Sequence, residues 1–548
     1  MNSLDYTIVG IYAVALIFIA TLVSFNKKGT KKTAEDYFLA GRSLPWWAIG
    51  TSLIAANIAA DQIIGMNGDA YAFGIAIATY EWTAAIALIV VAKFLLPVYL
   101  KQKVFTMPQL LSQRYDHNVS ILLAILMLIM YVMVILPTIL WLGAKAVNNL
   151  TGLDLIFSMV LLGLLSLAYS LYGGLKAVAF TDIIQVTLLI LAGLFVSYVG
   201  LNAISDGGGI VEGFLILQSE FPEKLDALLP YVSKAEDPEA YANYVKLPGI
   251  WVLIGGMWIA HFYYWGTNQY ITQRALGGKN LNEAQNGLMF AGFLKLLMPF
   301  VVVLPGLIAV SLEGNVIPSL EGDRSRAYPT MLSLLPNGLL GLTFAALVAA
   351  IVSSLASLTN SLSTIFTMDI YGRNRNPNDE SLVTVGRVVG FIGLIISIIV
   401  APIFLGNLES AFQYVQEYMG LFSPVILFVF LSAIFLKSST SKSVLLGAVT
   451  ALIAGVGLKL YVASTEESLI EPFMHQMAIS FVLAFLVNAI FSPKSENKKV
   501  FVLERSDFRT SKLFNFGSTL IVSVIVGIYI YFDAVSYTHL RAHETRSD

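Results

Sequence analysis

The chain has 548 residues, 57% of them hydrophobic and only 12% charged, with a formal net charge of −2. Soluble domains carry about a quarter charged residues, so the composition excludes an ordinary soluble globule, and its near-neutral balance offers no basic footprint for nucleic acid. The absence of cysteine excludes a disulfide framework, a thiolate metal site and a thiol nucleophile.

Apolar runs of about twenty residues, each long enough to cross the hydrocarbon core, recur along the chain and predict an all-α polytopic membrane protein. By hydropathy there are about fourteen spans, near 4–24, 47–70, 74–99, 119–148, 154–173, 177–203, 248–274, 286–312, 336–369, 381–406, 409–437, 441–462, 471–492 and 513–534. The first run has no basic stretch before it and no small-residue cleavage site after it, which predicts a retained helix rather than a signal peptide. Lys27, Lys28, Lys31, Lys32, Lys101, Lys103, Arg114, Arg274, Lys279, Arg373, Arg375, Lys437, Lys442, Lys498, Lys499, Arg505 and Arg509 fall in alternate loops. The positive-inside rule makes those loops cytoplasmic and puts both termini outside. The longest loops, 204–247 and 313–335, then face outward. The ending SYTHLRAHETRSD changes composition and loses apolar periodicity, so residues 535–548 are set aside as an artefactual or disordered tail.

Polar groups at membrane depth point to function, because a carboxylate at a helix centre costs roughly 2.5–3.5 kcal/mol. Asn57, Asp61 and Gln62 stand in AANIAADQ, residues 55–62. A second interruption, HFYYWGTNQY at 261–270, runs aromatics into Gly266, Thr267 and Asn268. These fall five spans apart, as in two inverted five-helix repeats whose broken first helices meet at a midplane site. Small-residue packing faces account for the same pattern, and both readings stand at this point. VAAIVSSLASLTNS at 348–361 places Ser353 and Ser357 on one helix face, either as packing hydroxyls or as hard-cation ligands. Glu81 and Lys295 each lie too deep for easy snorkelling and are functional candidates, or partners in a structural ion pair. Gln416 adds a donor and an acceptor on another span. Asp182 is an interfacial carboxylate or an ion relay. No HExxH or Walker A run supports an enzyme.

EDYFLAGRSLPWWAIGTSLIAANIAADQ (35–62), YGGLKAVAFTDIIQ (172–185), YYWGTNQYITQR (263–274), AAIVSSLASLTNSLSTIFTMDIY (349–371) and FQYVQEYMGL (412–421) closely resemble the sodium/solute symporter family, nearest its sodium/galactose and sodium/glucose members. The resemblance implies a LeuT-type 5+5 inverted repeat within one transmembrane domain, 1–534. Residues 4–24 would be an extra N-terminal helix, 47–203 and 248–437 the repeats, and 441–534 additional C-terminal helices. It implies Na⁺ as coupling ion, no other cofactor, no obligate protein partner, and a monosaccharide carried across the inner (plasma) membrane by alternating access. Another solute of the family (inositol, proline, pantothenate or sialic acid) or a solute sensor are the alternatives.

Residue by residue, the resemblance implies a sodium site from the carbonyls of Ala55, Ile58 and Ala350 with the hydroxyls of Ser353 and Ser354, and an ion path past Asp182. The sugar would be held by Gln62, Glu81, Lys295 and Gln416, with Tyr264 stacking on its ring. Met66, Tyr80 and Phe412 would close the outer side, and Tyr263, Tyr264 and Trp265 the inner one. Asn57 would tie the first broken helix to Tyr264. Two positions depart from the galactose pattern: His261 stands where an Asn is expected, as a substrate contact or a packed core histidine, and Ala84 where a Ser is expected. Ala356 replaces a Thr found with a second sodium site, which implies one Na⁺ per cycle.

Overall fold

The computed structural model describes residues 1–24, 33–320, 322–373, 379–406, 410–465, 468–493 and 499–544. Lys27, Lys28, Lys31, Lys32, Arg375 and Lys498, used above to orient the chain, lie outside them. The described residues are almost entirely helical; extended pairing is limited to the isolated bridges Leu44–Gly278 and Glu313–Ile317.

By length and apolarity, ten helices among the described residues can cross a membrane, or eleven when the bent pair Pro238–Ile254 and Met257–Gly266 counts as one span. Their starts carry the caps that orphan N–H groups need. Asp116 accepts from Asn118 and Val119 ahead of His117–Met130, Asn280 from Glu283 ahead of Leu281–Met298, and Ser410 from Gln413 ahead of Ala411–Phe435. The core is built around Leu339–Tyr371, 78% of whose most apolar stretch is buried, and Ala411–Phe435, at 72%. The last three, Ser441–Ala463, Phe473–Phe491 and Lys512–Phe532, are only 22–33% buried by the same measure, so they pack as a peripheral layer.

Of the spans expected near 154–173 and 177–203, Val178–Ile204 is long and apolar enough to cross, and Leu155–Ala168 is a shorter apolar helix. One expectation changes. Arg114 and Arg274, taken above as loop charges, are buried. Arg114 donates to the carbonyls of Ala433, Leu436, Lys437 and Ser439, because a guanidinium carries enough donors to saturate a frayed helix end.

The loops nevertheless sort into two ends. Arg42 donates to the carbonyls of Lys103 and Val104, Lys101 pairs with Asp507 at 2.9 Å, and Arg373 reaches Ser120. With Arg114 on the 436–439 turn, these contacts gather the basic loops at one end. At the other, the Lys224 ammonium caps the Ala72 carbonyl and Arg324 lies 3.8 Å from Asp69.

Candidate functional site

Both predicted interruptions are real breaks. The helix Trp46–Asn57 stops at Ile58, whose φ/ψ of −82°/80° is not helical. The Ala59 N–H bonds to the Asn57 carbonyl instead of reaching back four residues, and the chain re-enters helix as a wide turn over Asp61–Met66. The second helix, Met257–Gly266, gives way at Thr267 and at the extended Asn268 before Gln269–Leu276 resumes. Tyr131 donates to the Asn268 side chain and so holds this second break from a neighbouring helix.

At the first break, released carbonyls face the serine-rich helix Leu339–Ile365. The Ser354 hydroxyl lies 3.4 Å from the Ala55 carbonyl and 3.5 Å from that of Ala56. Ser353 donates to Asp182, which leaves its oxygen lone pairs available, as a cation ligand requires. Ala350 is buried one turn earlier on the same helix. Asp182 is fully buried: Ser52 donates to it at 2.5 Å, and the Arg274 guanidinium stands 3.5 Å away. Arg274 also donates to Ser52, to Ser357 and to the Tyr270 carbonyl at 2.6–2.7 Å. Asp182 is therefore neither interfacial nor isolated; its charge is paired and hydrogen-bonded, which burial demands.

Beside this cluster, the two breaks open on a cavity whose wall takes residues from both. Gln62, Glu81, His261, Tyr264, Lys295 and Gln416 all line it, as do Asn57, Tyr80, Tyr263, Trp265 and Ala84. Met66 and Phe412 do not. Met66 is fully buried, and Phe412 stands behind Tyr80 with their rings edge to face at 5.5 Å. The outer closure expected from three side chains is thus one cavity residue backed by packing.

Glu81 and Lys295 form an ion pair at 2.6 Å, both almost wholly buried. Lys295 also donates to the Asn57 side-chain oxygen and lies 5.1 Å from the centre of the Trp265 ring. The pair and the cavity are thus not alternatives: the salt bridge is part of the wall. Asn57 donates through its amide nitrogen to the Tyr264 hydroxyl at 3.2 Å, and Tyr264 shares a hydrogen bond with Tyr270. One asparagine therefore connects Lys295 to Tyr264 across both breaks.

Thr83 gives its proton to the Thr79 carbonyl at 2.5 Å and faces His261 Nε2 at 2.7 Å. One hydroxyl thus bridges the Thr79 carbonyl and the imidazole. His261 is both packed and cavity-lining. Among the described residues, four wall atoms have no protein hydrogen-bond partner: Asp61 Oδ1, Gln62 Oε1, the Tyr80 hydroxyl and Ser423 Oγ. Each carries a desolvation cost of about 1–3 kcal/mol that a polar occupant relieves.

Sequence reading missed Arg274, because a basic residue just after an apolar run looks like a loop charge. It noticed Asp61 without giving it a role. Ser52 and Ser423 carried no signal above ordinary helix serines.

A family model described as "Sodium:solute symporter family" matches residues 37–455. The chain is 41% identical over 550 residues to the sodium/glucose cotransporter of Vibrio parahaemolyticus, covering 97% of this chain and 98% of that protein. It is 33% identical over 480 residues to sodium/myo-inositol cotransporter 2 of Mus musculus, covering 83% and 70% respectively. In three dimensions it is similar to the substrate-bound, outward-open structure of a Na⁺-coupled sialic acid symporter. The TM-score is 0.75 at 21% identity, over 90% of this chain and 100% of the other, which shows a common fold.

Proposed function

The chain belongs to the sodium:solute symporter family, a transporter rather than an enzyme with Na⁺ as its coupling ion, and from that premise we propose that it imports a monosaccharide such as galactose or glucose. The observation that carries the reading is the wall of the cavity: a buried Glu81–Lys295 pair, an amide at Gln62 and Gln416, and an aromatic platform at Tyr264. A sugar presents hydroxyls at its rim and C–H groups on its faces, so it needs alternating donors and acceptors together with one ring to lie on.

In this reading Gln62, Glu81, His261, Lys295 and Gln416 hold the hydroxyls, and Tyr264 stacks on the ring. Tyr80, with Phe412 behind it, and Met66 close one side; Tyr263, Tyr264 and Trp265 close the other. Sodium sits where the Ala55, Ile58 and Ala350 carbonyls meet Ser353 and Ser354, and leaves past Asp182. Holding the broken helix through Asn57, it preforms the Lys295–Tyr264 wall, so ion and sugar favour each other reciprocally. We further read the fold as fourteen spans in a plasma membrane, with both termini outside and 47–203 and 248–437 as inverted repeats. The matching breaks at 58–59 and 267–268 support that symmetry. The imidazole of His261 and the missing hydroxyl at Ala84 favour, as a second reading, a polyol such as myo-inositol.

Proteoliposomes with an inward Na⁺ gradient, against matched K⁺, test this. Galactose or glucose uptake that requires Na⁺ and is lost in Ser354→Ala supports both class and ion site. Entry of neither sugar into vesicles of folded protein overturns the sugar assignment.

A further inference from the structure

Asp61 has no part in the roles above, yet it lines the cavity next to Gln62. Its Oδ1 is buried without a hydrogen-bond partner among the described residues. The wall holds two carboxylates, Asp61 and Glu81, and one ammonium, Lys295. Lys295 is committed: Glu81 at 2.6 Å, the Asn57 oxygen and the Trp265 face surround it. No described ion pair gives Asp61 a cation of its own. The remaining partnerless wall atoms are an amide oxygen at Gln62 and hydroxyls at Tyr80 and Ser423. The wall therefore holds one carboxylate more than it holds ammonium groups, and no described wall cation pairs with Asp61.

We infer that Asp61 is a specificity-determining residue, whose carboxylate selects sugars presenting hydrogen-bond donors, neutral or amino-substituted, and rejects sugars that carry a carboxylate. The inference rests on the sugar reading of the cavity and names the charge class it takes. The fold itself does not impose this choice, since the sialic acid symporter shares it; the discrimination lies in side chains. Specificity of this kind comes as much from a repulsive element against the wrong ligand as from contacts with the right one.

The test is competition at pH 8 against Na⁺-driven uptake of labelled galactose in proteoliposomes, with unlabelled galactose, galactosamine and galacturonate. For the wild type, galactosamine competes within about threefold of galactose, and galacturonate needs at least about tenfold more than either. In Asp61→Asn the galacturonate penalty shrinks at least about tenfold relative to galactose, and in Asp61→Glu it persists. Galacturonate competing as well as galactose against the wild type overturns the inference, and needs no variant. An Asp61→Asn protein that transports but keeps the wild-type ratios overturns it equally. Absence of any Na⁺-dependent galactose uptake by the wild type is a different result: the sugar reading then falls and takes this inference with it.

Discussion

Lys295 joins three residues of the cavity wall, since Glu81, Asn57 and Trp265 all converge on it. Truncating it strands a buried carboxylate, which typically costs about 3–5 kcal/mol. Lys295→Ala is expected to abolish uptake and lower thermal stability, whereas Glu81→Gln, which keeps a hydrogen-bond acceptor for the ammonium, loses uptake with a smaller stability loss. Equal and minor stability changes in both would contradict the pairing. At the ion site, Ser354→Ala removes one oxygen of a small set. A loss of about 1.4 kcal/mol corresponds to a tenfold weaker Na⁺ half-saturation, read from uptake rate against Na⁺ concentration. Glu81 and Lys295 were visible in the sequence because a charge far from either end of an apolar run demands a partner. That each is the other's partner, 214 positions apart, was not visible.

Among elements, the Asp182 cluster binds four segments together: Trp46–Asn57 through Ser52, Leu155–Ile204 through Asp182, Gln269–Leu276 through Arg274, and Leu339–Ile365 through Ser353 and Ser357. Arg274→Gln alone is expected to destabilise strongly, and Asp182→Asn/Arg274→Gln less than the sum of the single changes, because the double variant leaves no bare charge. Melting temperatures of the three proteins measure the coupling, and additive losses would refute it. At the opposite end, Gly74 ends the helix Asn67–Phe73 at φ 76°, and an added Cβ there would stand 2.1 Å from the Lys224 carbonyl. Gly74→Ala therefore combines left-handed strain with a backbone collision, expected to cost about 2 kcal/mol or more and to unseat the 204–247 loop. Limited proteolysis within that loop should accelerate. Both helix breaks were legible, since polar and small residues interrupt apolar runs there.

For the molecule as a whole, transport of one net charge inward gains roughly 2.3 kcal/mol per 100 mV. An inside-negative potential of that size should raise the limiting accumulation of sugar roughly fiftyfold for one Na⁺ per cycle, measured with K⁺ diffusion potentials in vesicles; the square of that factor would indicate two. The cysteine-free chain makes sidedness direct to test. A single cysteine at exposed Ser219 should react with an impermeant maleimide from outside intact cells, and one at exposed Ser506 only after permeabilisation. Hydropathy and the rarity of deep polar residues made the membrane class, the helical architecture and the polar cavity residues Asn57, Asp61, Gln62, Glu81, Lys295 and Gln416 readable from the sequence, because each reflects the local cost of placing a group in hydrocarbon. Which groups neutralise one another was decided only by the tertiary structure: Lys295 with Glu81, Arg274 with Asp182, and Asp61 with neither. Charge pairing depends on distances between helices remote in sequence, and no local pattern encodes those distances.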